Sequence, residues 1–300
     1  MRKTKIALFL CWLVCACMLS TGVVLAQNSQ DMTRSMWLPP LDISKDGYRS
    51  DSLFMIVTYM TGVLFIIMTG IMVVASIKFR ASSGAKAHYD RGDTKKDGMK
   101  GLIISTVIFL AVDGTLLYRS HEDLQGYTDR EGNKRAGVWN FPEATKDEPH
   151  ADVLRVEVLA QQWAWNFRYA GADKLFNTPD DIVTLNDFRV PENKKVLVQL
   201  RSKDVIHSFF LANCRMKRDA NPGETTRMWF ETKPGTAGEY KVTCAEMCGY
   251  AHYLMSAQFH VLTDAQWTKW EAEATKWSEI AYDATKPDQQ WGWEWTPKRM

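Results

Sequence analysis

The stretch "LFMIVTYMTGVLFIIMTGIMVVASI", residues 53–77, runs twenty-five positions without a charged side chain. A helix of that length crosses a bilayer core with some tilt. A second run, "GLIISTVIFLAVDGTLLY" at 101–118, is interrupted only by Asp113. Asp113 stands five residues before Tyr118, so it sits near the outer interface, within reach of water. Between the two runs, residues 78–100 carry seven Lys/Arg and three Asp. Basic short loops stay in the cytoplasm, which puts everything before 53 and after 118 on the outside. The expectation is a two-helix transmembrane hairpin, with spans 53–77 and 101–118 joined by a cytoplasmic basic loop.

The N-terminus demands the same orientation. "MRKTK", the apolar "IALFLCWLVCACMLS" and "VLA" before Gln27 read as a signal peptide over 1–26, followed by an exported segment, 27–52. "VCAC" offers a lipoprotein-like alternative that leaves Cys17 first, and an uncleaved anchor is a third reading. The setting implied is a bacterial-type inner (plasma) membrane crossed twice. Of six cysteines, Cys11, Cys15 and Cys17 belong to the leader. Cys214, Cys244 and Cys248 remain, a poor disulfide framework for an exported domain.

Residues 1–118 hold thirteen Lys/Arg against eight Asp/Glu, and residues 119–300 hold twenty-four against twenty-seven. No basic cluster stands beside stacking aromatics, so nucleic acid is not expected as a partner. After a connector, 119–150, the pattern changes to period two. "LRVEVLAQQWAWNFRY" alternates, with Trp163, Trp165, Phe167 and Tyr169 expected on one face of a strand. "KKVLVQLRS", "TTRMWFET", "GEYKVTC" and "MSAQFHVL" are further short strands between Pro, Gly and Asp turns, and together they predict a β-sandwich over 151–263. In 264–300, "DAQWTKWEAEATKWSEIAYDA" spaces Trp267, Trp270, Trp277 and Ile280 as a helix, and a Trp-rich tail suited to a neighbouring subunit or the membrane interface follows.

The chemistry is concentrated in "CAEMCGYAHYLM", residues 244–255. Zinc would accept two thiolates and imidazoles, but it usually takes a C-x2–4-C followed by a histidine pair and has no use for Met255. Copper takes thiolate, imidazole and a weak thioether together. A mononuclear copper site of that kind needs one cysteine. Cys244 and Cys248 on one loop, with two imidazoles, would hold a dinuclear centre. His252 supplies one imidazole, and His207 in "VIHSF" is the well-placed second. Cys214 reads as a buried thiol beside the site, Met216 and Met247 as packing residues, and His260 as structural.

With "VIHSF" upstream, "CAEMCGYAHYLM" resembles the Cys-x-Glu-x-Cys-Gly-x-x-His-x-x-Met motif of subunit II of the haem–copper cytochrome c oxidases. "QQWAWNFRY" and "MKRDANPGETTR" are similar to two further motifs of that family, and the likeness runs roughly from 53 to 270. It implies a cupredoxin-like Greek-key sandwich, all-β, outside the membrane and carrying the dinuclear copper centre CuA. Cys244 and Cys248 would bridge; His207 and Met255 would complete one copper, His252 and the main-chain carbonyl of Glu246 the other. The Glu246 side chain would ligate a Mg or Mn ion shared with subunit I. Trp163 matches the tryptophan through which electrons arrive.

The resemblance further implies partners: a haem-bearing subunit I, other membrane subunits, and a c-type cytochrome donor, soluble or part of a partner complex. The chain would be one subunit of a proton-translocating oxidoreductase, with no oxygen chemistry of its own. A CuA subunit of a nitric oxide reductase or other CuA-bearing complex is the nearby alternative. An exported copper-binding or metallochaperone protein is the alternative from another class. Departures are also present. Ala164 and Arg168 stand where the family often has an aromatic and a glutamate, and the second span lacks the family's glutamate near its start. The loop 172–182, with Asp173, Asp180 and Asp181, would steer a cationic donor, bind Ca²⁺ or simply be a solvated turn.

Overall fold

The computed structural model describes residues 39–84, 91–92, 94–128, 132, 134–136, 153–171, 175, 176, 178 and 180–281. The signal segment 1–26, Asp173 and the Trp-rich tail lie outside the described residues, as do the side chains of Trp277 and Ile280.

Helix α1 spans Gly47–Lys78 and α2 spans Lys95–Gln125. Each runs beyond the apolar stretch that announces it: α1 begins with "GYRSDS" and α2 ends with "RSHEDLQ". The apolar run marks where lipid can be, whereas the helix continues wherever polar residues keep its backbone bonded. Thr94 caps α2, its side chain accepting from the Asp97 N–H at 3.2 Å. The two polar extensions meet. The Arg49 side chain is ion-paired with Asp123, lies 3.7 Å from Glu122 and sits 3.7 Å over the ring of Tyr127. Tyr127 belongs to a small antiparallel ribbon, β1 (Gly126–Thr128) with β2 (Lys134–Ala136). The large apolar side chains of the spans, Phe65, Met72, Leu110 and Leu117 among them, face outward, as side chains meeting lipid or a partner helix must.

Ten strands then build two sheets. β3 (Val153–Gln161), β4 (Ala164–Tyr169), β5 (Ile182–Leu185), β6 (Asp187–Pro191), β7 (Lys195–Ser202), β8 (His207–Leu211), β9 (Met216–Ala220), β10 (Thr226–Glu231), β11 (Gly238–Cys244) and β12 (Ser256–Leu262) follow in order. One sheet runs β10-β7-β3-β4-β5 and the other β6-β12-β11-β8-β9. The β3–β7 and β6–β12 pairs are parallel and the others antiparallel. Strict alternation buries Val196, Val198 and Leu200 of β7 between the sheets. The core is aromatic. Phe188 stacks on Phe167 at 4.9 Å and on Phe259 at 5.0 Å, while Phe209 meets Trp165 edge-on at 5.2 Å. Helix α3 (Asp264–Ala281) closes one side, with Trp270 edge-on to Tyr169 at 5.3 Å.

The aromatic strand is not one strand. The chain turns at Gln162–Trp163, pairing Gln161 with Ala164 and Ala160 with Trp165. Side-chain parity shows why this is required. Val156, Val158 and Ala160 face the core, and so do Trp165, Phe167 and Tyr169. In a single strand those two sets would point to opposite faces. Trp163 therefore sits on the turn, 38% exposed, instead of sharing a face with Trp165.

The expectations for Asp181 and Cys214 are corrected. Arg168 is 1% exposed, and its guanidinium is ion-paired with Glu157 and 3.7 Å from Asp181. Asp181 is likewise buried, so it is neither a solvated acid nor a steering charge. Cys214 is buried as expected but lies beyond the far end of β8 from His207, among Arg215, Met216, Trp229 and Ser44.

Candidate metal centre

Strand β11 ends on Cys244, and β12 starts just after Met255. The Cys244 N–H donates to the Met255 carbonyl at 3.1 Å, closing the loop between them. The Ala245 N–H donates to the Ser208 carbonyl at 2.9 Å, sewing the loop to β8 one residue after His207. A short 3₁₀ turn, His252–Leu254, brings the second imidazole back over the loop. Five side chains and a carbonyl converge there because backbone ladders hold both ends of the loop.

The two Sγ atoms lie 3.8 Å apart. His207 Nδ1 is 4.0 Å from Cys244 Sγ, and His252 Nδ1 is 3.5 Å from Cys248 Sγ. Met255 Sδ is 3.7 Å from Cys248 Sγ, and the Glu246 carbonyl oxygen is 3.2 Å from Cys244 Sγ. The nearest ligand atoms of His207, Cys244 and Cys248 all fall within 4.8 Å of one another. Metal–thiolate bonds of about 2.3 Å let two bridging sulfurs stand at such a separation. His207, Cys248 and Met255 are buried, whereas the Glu246 side chain is exposed. This soft donor set, thiolates and thioether with two imidazoles, fits copper.

His207 is held on two sides. Its Nε2–H donates to Asp204 Oδ1 at 2.8 Å, which leaves Nδ1 facing the sulfurs, and Trp165 stands edge-on to the ring at 6.1 Å. Asp204 is partly buried, which works against its charge. The hydrogen bond from His207 and the N–H groups of Gln162 and Val205 outweigh that and hold its carboxyl below the usual range. Burial likewise opposes the His207 cation, but contacts with Cys244 and Asp204 raise its pKa above that of an ordinary imidazole.

The thiols diverge. Burial would raise Cys244, yet hydrogen bonds from His207 and from the Ser208 main chain bring it down to about 6. Burial and the neighbouring Cys244 push Cys248 up to about 12. The two thiols are thus driven apart, and an incoming cation must displace any proton they still hold.

Trp163 adjoins the loop. A Cβ added to Gly249, at φ +119°, would lie 3.3 Å from Trp163 Cζ2 and 2.8 Å from Gln162 Nε2. Gln162 Nε2 donates to the Cys248 carbonyl at 2.8 Å. Sequence reasoning had not singled out Asp204, Gln162 or Gly249. The Asp204-x-x-His207 spacing carries a hint of a carboxylate–imidazole pair, but only the fold brings the Gln162 N–H to that carboxylate. Met247, expected to pack, is exposed instead, and with Tyr250, Tyr253, Leu254, Val205 and Ile206 it surrounds the loop with apolar surface. His260 is half-buried, its Nε2 3.5 Å from Asp187 Oδ1, in keeping with a structural place.

Residues 154–262 match the family described as cytochrome c oxidase subunit II, periplasmic domain. The chain is 36% identical over 142 residues to the alternative cytochrome c oxidase subunit 2 of Bradyrhizobium diazoefficiens, a match covering 40% of this chain and 50% of that one. It is 24% identical over 277 residues to cytochrome c oxidase subunit 2 of Synechocystis, covering 84% and 80% respectively. The crystal structure of the periplasmic domain of subunit II of the Bradyrhizobium japonicum cytochrome oxidase is similar at 27% identity. That match has a TM-score of 0.36 and covers 41% of this chain and 94% of that domain. The chain thus spans half the length of the first of these relatives.

Proposed function

We propose that this chain, whose residues 154–262 form a domain of the cytochrome c oxidase subunit II family, is the electron-transfer subunit of a terminal respiratory oxidase. It would accept electrons from a c-type cytochrome and pass them to haem in subunit I, where oxygen is reduced to water. The observation that carries the reading is the pairing of the sulfurs: 3.8 Å apart, each with one imidazole Nδ1 beside it.

Cys244 and Cys248 would bridge two copper ions, with His207 and Met255 on one and His252 and the Glu246 carbonyl on the other. Copper held there would supply a one-electron carrier. The chain's own part is to keep that carrier still. The Cys244–Met255 backbone bond closes the loop, Asp204 fixes the tautomer of His207, and Trp165 blocks rotation of its ring. A frame that does not move on gaining an electron keeps reorganisation small. Burial of His207, Cys248 and Met255 also argues against an exchangeable copper-carrier site, which would present its sulfurs to a partner.

Trp163, exposed and pressed against Gly249, would take the electron from the donor. The surrounding apolar collar suits partners that exclude water. Helices α1 and α2 would anchor the chain in a bacterial inner membrane, with the basic loop inside and the sandwich outside. The exposed Glu246 side chain would meet subunit I and hold a Mg or Mn ion there. Purification of the native assembly and its visible, near-infrared and electron paramagnetic resonance spectra test the reading. A purple mixed-valence chromophore supports it, and a colourless protein with labile Cu(I) overturns it.

A further inference from the structure

Asp204 joins His207 to the turn that carries Trp163. Its Oδ1 accepts from His207 Nε2 at 2.8 Å and from the Val205 N–H at 2.7 Å. Its Oδ2 accepts from the N–H of Gln162 at 2.7 Å. Gln162 is the first residue of the turn that carries Trp163, and its side chain continues to the Cys248 carbonyl at 2.8 Å. The carboxylate is itself fixed. The Asp204 N–H donates to Ser202 Oγ at 3.3 Å, and the Lys203 N–H donates to the Ala160 carbonyl at 2.9 Å, tying the 203–206 loop to the end of β3. His207, Asp204, Gln162 and Cys248 are thereby linked in a chain of hydrogen bonds.

We propose that Asp204 is a positioning residue that sets the His207 ring and seats the Trp163 turn at once, so that one carboxylate couples the metal ligand to the point where electrons arrive. The inference rests on the copper reading given above. Its chemistry is that of two acceptor oxygens facing two donors. An asparagine has a single acceptor oxygen and an NH₂ group. Whichever way it turns, either His207 Nε2–H or the Gln162 N–H faces another donor. The carboxylate also makes the imidazole a stronger ligand by drawing on its Nε2 proton, which favours the oxidised metal.

The test is Asp204→Asn in the full chain within its assembly. The expected result is retained copper with a raised reduction potential, a loss of copper to a competing chelator about tenfold to a hundredfold easier than in the wild type, and slower reduction by the donor. A residue that only shapes the 203–206 turn would leave the potential in place. Should the variant not assemble, the wild-type chain answers the question by itself. With ¹⁵N-labelled histidine and copper reduced, the His207 Nε2 proton should exchange with solvent far more slowly than the other histidine ring protons. Equal exchange, or an Asp204→Asn variant matching the wild type in potential and chelator resistance, overturns the proposal. A wild-type chain lacking the paired-copper spectrum would instead end the reading on which it rests.

Discussion

Trp163 and Gly249 are packed so closely that a Cβ on the glycine would stand 3.3 Å from the indole Cζ2. That contact joins the exposed turn of β3–β4 to the loop bearing Cys248. It also combines with a backbone conformation, φ +119°, that side chains rarely adopt. Gly249→Ala should destabilise the loop by about 1–3 kcal/mol and push Gln162 and Trp163 outward. Chemical unfolding and donor-driven reduction kinetics, measured on the same preparation, check both parts. A variant as stable and as fast as the wild type would show the contact to be incidental.

Trp163 reaches solvent without contributing a ligand atom. Trp163→Ala should therefore leave the copper spectrum intact and slow reduction by the native donor by at least about tenfold, the scale of losing a well-placed contact. Stopped-flow reduction by the donor is the check. Unchanged turnover would remove Trp163 from the path.

On the proposed reading, the side chain and the carbonyl of Glu246 would have separate tasks. Only the carbonyl lies near sulfur, 3.2 Å from Cys244 Sγ, while the side chain is exposed. Glu246→Gln should spare copper and weaken Mg²⁺ or Mn²⁺ retention by the assembly. Metal analysis after dialysis distinguishes these. Loss of copper from the variant would show the assignment of the residue to be wrong.

One cation, Arg168, faces two buried carboxyls, Glu157 and Asp181. Burial raises Glu157 to about 7, against the pull of Arg168, and Asp181 adds to the rise. Because the folded value exceeds the unfolded one, folding takes up a proton in this window. The contribution to stability is complete below the ordinary glutamate value of 4.5 and is lost as pH rises through about 7. Denaturant midpoints of the full chain in detergent, measured from about pH 4 to pH 8, should fall across that window in the wild type and fall less in Glu157→Gln. Parallel curves would contradict the assignment.

The convergence of the candidate donors was legible in the sequence because most are local: Cys244, Glu246, Cys248, His252 and Met255 share one turn of chain, and His207 is a single distant addition. The two apolar runs were legible because hydrocarbon demands length and tolerates few charges. The hairpin at Gln162–Trp163 was not. It contains no Gly, Pro, Asn or Asp to mark a turn, and its cap, Asp204, lies forty-two residues away. Nothing local announces that Glu157 and Asp181 enclose Arg168. Cys214 was placed beside the metal by type alone, whereas a strand's length separates it from His207.

The central claim is most directly tested by counting copper in the oxidised assembly while recording its paramagnetic resonance. Two ions per chain sharing one spin, with a multi-line hyperfine pattern that disappears in Cys248→Ser and His207→Asn, is the predicted result. A single ion per chain, or the signal of an isolated cupric centre, would contradict it.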